Sequence, residues 1–225
     1  KVFNNPNFIF LITSLILNVV VYKVILEHKH QLNIGVGLFV FLIKYYFSMF
    51  TFIRLSLAFA IIFYSYKYLI NENLKKYLIC VLLATGFHYT AIIMLPFYFI
   101  IKRQDKYKVV KYFTMLMFML FVLIFLESLA QKILANTKYI SYIEGHRFGN
   151  FRGGLNQLIL HIPLLSIVLY FRTRIIAKDQ RNKVYIELFL IGSILMLFTL
   201  WIGILDRMLI YFLASQVLII PQIFR

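Results

Sequence analysis

Charged residues are scarce in this chain, and acidic ones are the scarcest. Asp, Glu, Lys and Arg make up 14% of its 225 residues, with only 8 carboxylates against 24 lysines and arginines. Soluble domains carry about 25% charged residues, so this chain has too little polar surface to face water on all sides. The low charge excludes a single water-soluble domain as the whole structure.

Cysteine and the common metal- or nucleotide-binding patterns are also lacking. Cys80 is the one cysteine and lies in an apolar run, so it offers neither an internal disulfide nor a cysteine metal site. The glycine-rich stretch 145–154 has no P-loop pattern. Four histidines do not show the spacing of metal ligands: His28, His30, His146 and His161. We therefore predict no metal and no cofactor.

Apolar sequence is what the chain has in quantity. Hydrophobic residues make up 62% of it, and the mean hydropathy is +0.85. Runs of about 17 to 25 apolar residues recur, each long enough to cross a bilayer as a helix. The predicted fold is an all-α, polytopic transmembrane helical bundle of about seven to nine membrane segments, with residues 1–225 as a single transmembrane domain. Predicted helices cover about 8–26, 34–47, 51–70, 77–101, 112–126, 155–171, 184–202 and 208–224.

The ends of the sequence predict that it is a fragment of a longer protein. The chain starts without Met and stops directly after an apolar helix. We expect further sequence at both ends.

The net charge of +16 comes from lysines and arginines in short loops between apolar runs. This distribution indicates membrane topology and not nucleic-acid binding. The loops at 102–111 and 172–183 hold five basic residues each, so both are predicted to be cytoplasmic. The long polar stretch 127–154 is then an external loop.

The apolar segment 77–101 conflicts with this topology if it is one straight helix. Lys67, Lys75 and Lys76 precede it and also favour the cytoplasm. The conflict disappears if the segment is a broken, re-entrant pair that turns near Gly86-Phe87-His88 and returns, which places 16 of the 24 basic residues in the cytoplasm. A single helix of about 37 Å remains an alternative.

Four arginines fall on the external side in this topology. Arg54 and Arg207 begin helices, whereas Arg147 and Arg152 lie in the long loop. The guanidinium group presents a fork of donors that suits phosphate oxygens, so this set predicts a cavity for a lipid-linked diphosphate. Arg54 could instead be an interface anchor, and Arg207 could form a local ion pair with the neighbouring Asp206 or also be an interface anchor.

His88 is predicted at the turn of the broken helix, where it is either a catalytic group or a satisfied core residue. The external carboxylates are Glu127, Glu144 and Asp206, so a general base within this sequence is one of these or His88.

Three sequence elements resemble the EpsG family, which is grouped with Wzy-type polysaccharide polymerases. The first is Ile53-Arg54-Leu55-Ser56-Leu57-Ala58, and the second is Lys75-Lys76 followed by Ala84-Thr85-Gly86-Phe87-His88-Tyr89-Thr90-Ala91. The third is Arg207 before Tyr211-Phe212 and Pro221. The similarity spans about Leu38 to Pro221. The family's usual N-terminal portion, with an Asp-Tyr type motif, is absent from this sequence, so we expect that a catalytic carboxylate is missing with it.

The resemblance implies a metal-independent membrane glycosyltransferase of exopolysaccharide or capsule biosynthesis, multi-pass in a bacterial plasma membrane. It would join undecaprenyl-diphosphate-linked repeat units at the external face. The implied partners are the lipid bilayer, that lipid-linked glycan and other polysaccharide-assembly proteins, with no nucleic acid. The expected catalytic residues are His88, Arg54 and Arg207, and the expected substrate-binding residues are Arg147, Arg152, Glu144 and Asp206. A membrane O-acyltransferase of glycans and a transporter of polysaccharide or lipid-linked sugar are the alternatives.

Overall fold

The computed structural model describes residues 7–102, 151–199 and 204–225, and every regular element within these ranges is helical. The all-α prediction is confirmed. A π-helical turn covers Leu42–Tyr46, and a 3₁₀ helix covers Tyr89–Met94. The α-helices are α1 (Asn7–Glu27), α2 (Ile34–Phe41), α3 (Phe47–Thr51), α4 (Ile53–Ile70), α5 (Leu74–Phe87), α6 (Phe97–Lys102), α7 (Phe151–Lys178), α8 (Asn182–Phe198), α9 (Ile204–Leu213) and α10 (Gln216–Ile223).

Three of these helices are long and apolar enough to cross a membrane: Phe8–Glu27, Ile53–Ile70 and Leu155–Lys178. They support a membrane protein, but the predicted total of seven to nine segments is not confirmed. One reason is that apolar stretches predicted as single helices are interrupted. The stretch 208–224, for example, is divided between α9 and α10.

Two predicted loops have different bounds in the structure. Residues 127–150 of the predicted external loop lie outside the described residues. Its last four residues, 151–154, belong to the first turn of α7. The basic loop predicted at 172–183 is shorter than expected, because α7 continues to Lys178. Long basic side chains can stay on a helix as it leaves the apolar region, since their charged ends reach water while their stems remain packed.

The chain turns back on itself after α5. The Tyr77 hydroxyl donates a hydrogen bond to the Met94 carbonyl at 2.6 Å, and Tyr98 donates to the Glu72 carbonyl at 2.5 Å. In one straight helix, Tyr77 and Met94 would lie about 25 Å apart, at 1.5 Å per residue. The break falls at His88, which has an extended backbone. The broken helix predicted over 77–101 is therefore confirmed, and the single straight helix is wrong.

The polar contacts between helices gather basic residues at one end of the bundle. The Lys67 ammonium lies 3.4 Å from the Glu27 carboxylate, and Gln31 donates to Asp179 at 2.6 Å. Lys178 donates to a carbonyl near the end of α10 at 2.7 Å. Because α4 rises by about 27 Å over its length, Arg54 in its first turn lies at the opposite end.

The short loop after α7 is held by its own carboxylate. Asp179 accepts hydrogen bonds from the Arg181 backbone N–H at 2.8 Å and from the Arg181 side chain at 3.0 Å. Burial alone would raise the pKa of Asp179, but the hydrogen bonds from Arg181 and Gln31 hold that pKa below its usual value. Asp179 is therefore a charged anchor at the basic end.

The break between α9 and α10, at Ala214–Ser215, is stabilised by tyrosines from other helices. The backbone N–H groups of Ser215 and Val217 bond three residues back, which frees the Tyr211 and Leu213 carbonyls from the regular helical pattern. The Tyr66 hydroxyl donates to the first carbonyl, and the Tyr45 hydroxyl donates to the second at 2.6 Å. An unpaired carbonyl is costly in an apolar interior, so these tyrosines allow the chain to break at this depth.

A glycine sets the close approach of α8 to α9. A Cβ atom at Gly192 would lie 2.8 Å from Leu213 Cδ2 and 3.0 Å from Phe212 Cβ, whereas one at Gly86 would meet no heavy atom within 4 Å. We expect Gly192→Ala to destabilise the fold by about 1–3 kcal/mol. The same substitution at Gly86 removes backbone freedom from a helix and should be neutral or stabilise it by about 0.5–1 kcal/mol. Thermal unfolding in detergent measures both, and equal melting temperatures for the two variants would refute this packing.

Candidate functional site

Arg54 occupies the first turn of α4, directly after an interruption of the helix. Phe52 separates α3 from α4 with a non-helical backbone, and its carbonyl accepts the first α4 hydrogen bond, from Ser56, at 2.9 Å. The Arg54 side chain is exposed. The interruption therefore presents a guanidinium group at the end of the bundle.

His88 lies at the break after α5, on the same end of the bundle. The backbone N–H group of His88 donates to the Ala84 carbonyl at 2.9 Å, and the backbone carbonyl of His88 accepts from the Ala91 N–H group at 3.0 Å. The imidazole is half-buried and stacks on the Tyr89 ring, with centroids 5.4 Å apart and an interplanar angle of 12°. Tyr89 is 58% exposed. An imidazole and a phenol ring therefore form one accessible aromatic surface.

Arg207 on α9 completes the group. Its guanidinium carbon lies 5.5 Å from the centre of the Phe52 ring, a distance that permits a cation–π interaction. The imidazole of His88 interacts electrostatically with both Arg207 and Arg54. The structure therefore brings together the three residues that the sequence predicted as catalytic, from three separate helical elements. Their chemical roles stay a prediction. We call Arg54, His88 and Arg207 the Arg–His cluster.

Two buried hydroxyl groups form a hydrogen-bonded chain that ends at the His88 imidazole. His88 Nδ1 lies 2.7 Å from Thr90 Oγ1, which in turn lies 3.3 Å from the Tyr211 hydroxyl. Thr90 and Tyr211 are both fully buried. Both residues belong to the family-like motifs, but the sequence indicates a role for neither. Their separation of 121 positions leaves no local pattern that would pair them.

Only some of the predicted carboxylates and loop arginines lie within the described residues. Asp206 is exposed on α9 beside Arg207, and the two side chains interact electrostatically. Arg152 lies in the first turn of α7. Glu127, Glu144 and Arg147 fall outside the described residues. Of the carboxylates in the described ranges, Asp206 is the one at the end of the bundle that carries the Arg–His cluster.

Two other described histidines, His161 and His28, have structural contacts. His161 on α7 lies 2.8 Å from Ser193 Oγ on α8, and His28 lies 2.7 Å from the Tyr185 hydroxyl. In the part of the chain that the structure describes, no three His, Cys, Asp or Glu side chains lie together in a way that could hold a metal ion. The Arg–His cluster itself presents two guanidinium forks, an imidazole and exposed aromatic rings, a set suited to binding phosphate oxygens.

Comparison with known families gives one match. The profile of the EpsG family matches residues 1–225, the whole chain, and not only the Leu38–Pro221 region on which the resemblance was noted. No curated protein matches the sequence. No solved structure matches it either.

Proposed function

The chain belongs to the EpsG family, and from that premise we propose that it is a polysaccharide polymerase-like glycosyltransferase of the membrane. The family is consistent with a Wzy-like polymerase in general. The finer proposal is that the chain joins undecaprenyl-diphosphate-linked repeat units in exopolysaccharide or capsule biosynthesis. One observation carries it: the breaks at Phe52 and His88 and the start of α9 bring two arginines and a histidine to one end of a membrane bundle.

In this proposal, the end of the bundle that carries the Arg–His cluster faces the outside of the plasma membrane. The lysines and arginines near 23–29, 67–76 and 178–183 lie at the opposite end, where the excess of basic residues favours the cytoplasm. Lipid-linked repeat units would then meet the Arg–His cluster on the outer face.

The reaction follows from the groups present. A hydroxyl oxygen of the acceptor sugar attacks the anomeric carbon of the donor, and the bond from that carbon to the diphosphate oxygen breaks. Undecaprenyl diphosphate leaves with the bonding electrons, and the hydroxyl proton passes to a base. The guanidinium groups of Arg54 and Arg207 hold the diphosphate and offset the charge that develops on it. Asp206, the exposed carboxylate beside Arg207, accepts the proton.

The buried hydroxyl chain supports the role of a hydrogen-bond donor for His88. Tyr211 is fully buried, and among the described residues Thr90 offers the acceptor for its O–H group. A buried donor without an acceptor costs about 1–3 kcal/mol, so Tyr211 donates to Thr90 and Thr90 donates to His88 Nδ1. A neutral imidazole then carries its proton on Nε2. That N–H group donates a hydrogen bond to a substrate oxygen.

Removal of the Thr90 hydroxyl tests this role. Thr90→Val keeps the side-chain shape but releases His88 Nδ1, so we expect polymer formation to fall about tenfold, the equivalent of one hydrogen bond of about 1.4 kcal/mol. Thr90→Ser should restore it. Polymer length and amount on a gel, together with the ¹⁵N shifts of the His88 ring, are the readouts.

Thr85→Val is the matched control, because the Thr85 hydroxyl donates to the Val81 carbonyl within α5. If Thr90→Val still made wild-type polymer and kept a ring protonated on Nε2, the proposed hydrogen-bonded chain from Tyr211 through Thr90 to His88 would be contradicted.

A transporter is the less favoured alternative. Transporters of the broken-helix type bind substrate near the middle of the membrane, between helix halves. The structure does contain a second broken helix, at Ala214–Ser215, which the sequence did not predict. The freed carbonyls at that break are occupied by Tyr45 and Tyr66, whereas the arginines lie at one end of the bundle. This arrangement supports chemistry at a surface.

A further inference from the structure

Three lysines from three helices converge on two tyrosines at the basic end of the bundle. Tyr64 and Tyr68 lie one turn apart on α4, with ring centroids separated by 5.9 Å. The Lys67 ammonium lies 3.6 Å from the Tyr64 centroid, and Lys23 on α1 approaches the same ring at 5.4 Å. Lys76 on α5 lies 5.8 Å from the Tyr68 centroid. These five residues are called the Lys–Tyr patch below.

The patch carries more positive than negative charge. Glu27 is its one described ion-pair partner, at 3.4 Å from Lys67, so three ammonium groups and one carboxylate give a formal charge of +2. Lys23 and Lys76 are exposed on either side of the half-buried tyrosines. Arg54 lies at the other end of α4, so the patch is separate from the Arg–His cluster.

An apolar surface continues from the patch toward the middle of the bundle. Leu57 and Ile61 precede Tyr64 on the same face of α4 and are half-buried. α1 and α5 both pack against α4, and each adds an apolar side chain that is 57% exposed, Val19 and Ile79. A ligand that fits this surface has an anionic group at one end and a hydrocarbon chain at the other.

We propose that the Lys–Tyr patch binds the headgroup of an anionic phospholipid, with an acyl chain along Leu57 and Ile61. Lysines near a membrane surface attract anionic lipids, and tyrosine rings favour the headgroup level of a bilayer. A free phosphate would use the charge but not the apolar surface. A zwitterionic headgroup would bring a cation against the three lysines.

Lipid retention by the purified full-length protein tests the site. The protein is held in nanodiscs of equimolar phosphatidylcholine and phosphatidylglycerol, transferred to detergent, and its bound lipids are counted by native mass spectrometry. We expect wild type to retain phosphatidylglycerol in preference. Lys23→Gln with Lys76→Gln should weaken that retention by about 25-fold, because each lysine contributes about fivefold in affinity.

Lys29→Gln with Lys75→Gln is the matched control, since it removes the same charge from exposed lysines at the same end. Neither of these lysines contacts the Tyr64 or Tyr68 ring within the described part of the chain. Thermal unfolding should show both double variants to be as stable as wild type in phosphatidylcholine alone.

Three outcomes would overturn the site. In the first, the two double variants lose phosphatidylglycerol equally. In the second, wild type retains both lipids without preference. In the third, glycerol 3-phosphate in solution displaces the bound lipid as well as phosphatidylglycerol does, which would assign the patch to a free phosphate.

Discussion

Replacing Arg54 or Arg207 by lysine should abolish most polymer formation while leaving the amount of membrane protein unchanged. Lysine preserves the charge but offers a point donor in place of the planar fork, so a bidentate contact to the diphosphate is lost. A hydrogen bond to a charged group contributes about 1.5–3 kcal/mol, which corresponds to a loss of about ten- to a hundredfold. Polymer yield on a gel, normalised to the protein content of the membrane, gives the measurement.

The matched control is Arg174→Lys, because Arg174 is an exposed arginine on α7 beside Lys178, at the basic end. It should keep wild-type polymer. Full activity in both Arg54→Lys and Arg207→Lys would reduce these arginines to interface anchors, the alternative that their positions at helix starts left open.

The sequence predicted the Arg–His cluster because its members are conspicuous. An arginine within an apolar run is costly unless it faces a cavity or the interface, so Arg54 and Arg207 stand out without any structure. The sequence predicted the break at His88 because basic residues flank the segment 77–101 at both ends. A single straight helix would have placed these residues on opposite sides of the membrane. The hydrogen bonds from Tyr77 and Tyr98 confirm that reversal.

The support behind the cluster could not be predicted, because it depends on contacts between distant residues. Tyr45 reaches Leu213 across 168 positions, and Thr90 reaches Tyr211 across 121. Neither glycine nor proline marks the break at Ala214–Ser215, so that stretch looks like one continuous helix. The break is possible because tyrosine hydroxyls donate to the carbonyls that it leaves free. These contacts join distant residues, so the linear sequence does not show them.

These buried tyrosines connect the fold to the proposed function. The cluster exists because helices stop near Phe52 and His88, and a helix that stops in an apolar bundle exposes backbone groups. Tyrosine hydroxyls satisfy such carbonyls at the Ala214–Ser215 break and at Met94, after the break at His88. The bundle can therefore hold broken helices as a fixed scaffold for charged side chains.

Deletion of the gene should leave single repeat units on their lipid carrier and remove the polymer ladder. In the proposed reaction, the chain forms the bond between one repeat unit and the next, so its substrate accumulates where the Arg–His cluster would have met it. In the proposed topology, that place is the outer face of the plasma membrane. Expression of His88→Ala in the deletion strain should give the same result without a change in membrane insertion.

Digestion of intact deletion cells with an impermeant glycosidase tests this account most directly. The proposed polymerase predicts unpolymerised, lipid-linked repeat units that the enzyme cleaves from outside. A transport defect would leave those units inside and protected, and an acyltransferase defect would change the mass of each repeat without changing chain length. Polymer of normal length in the deletion strain would contradict the polymerase function.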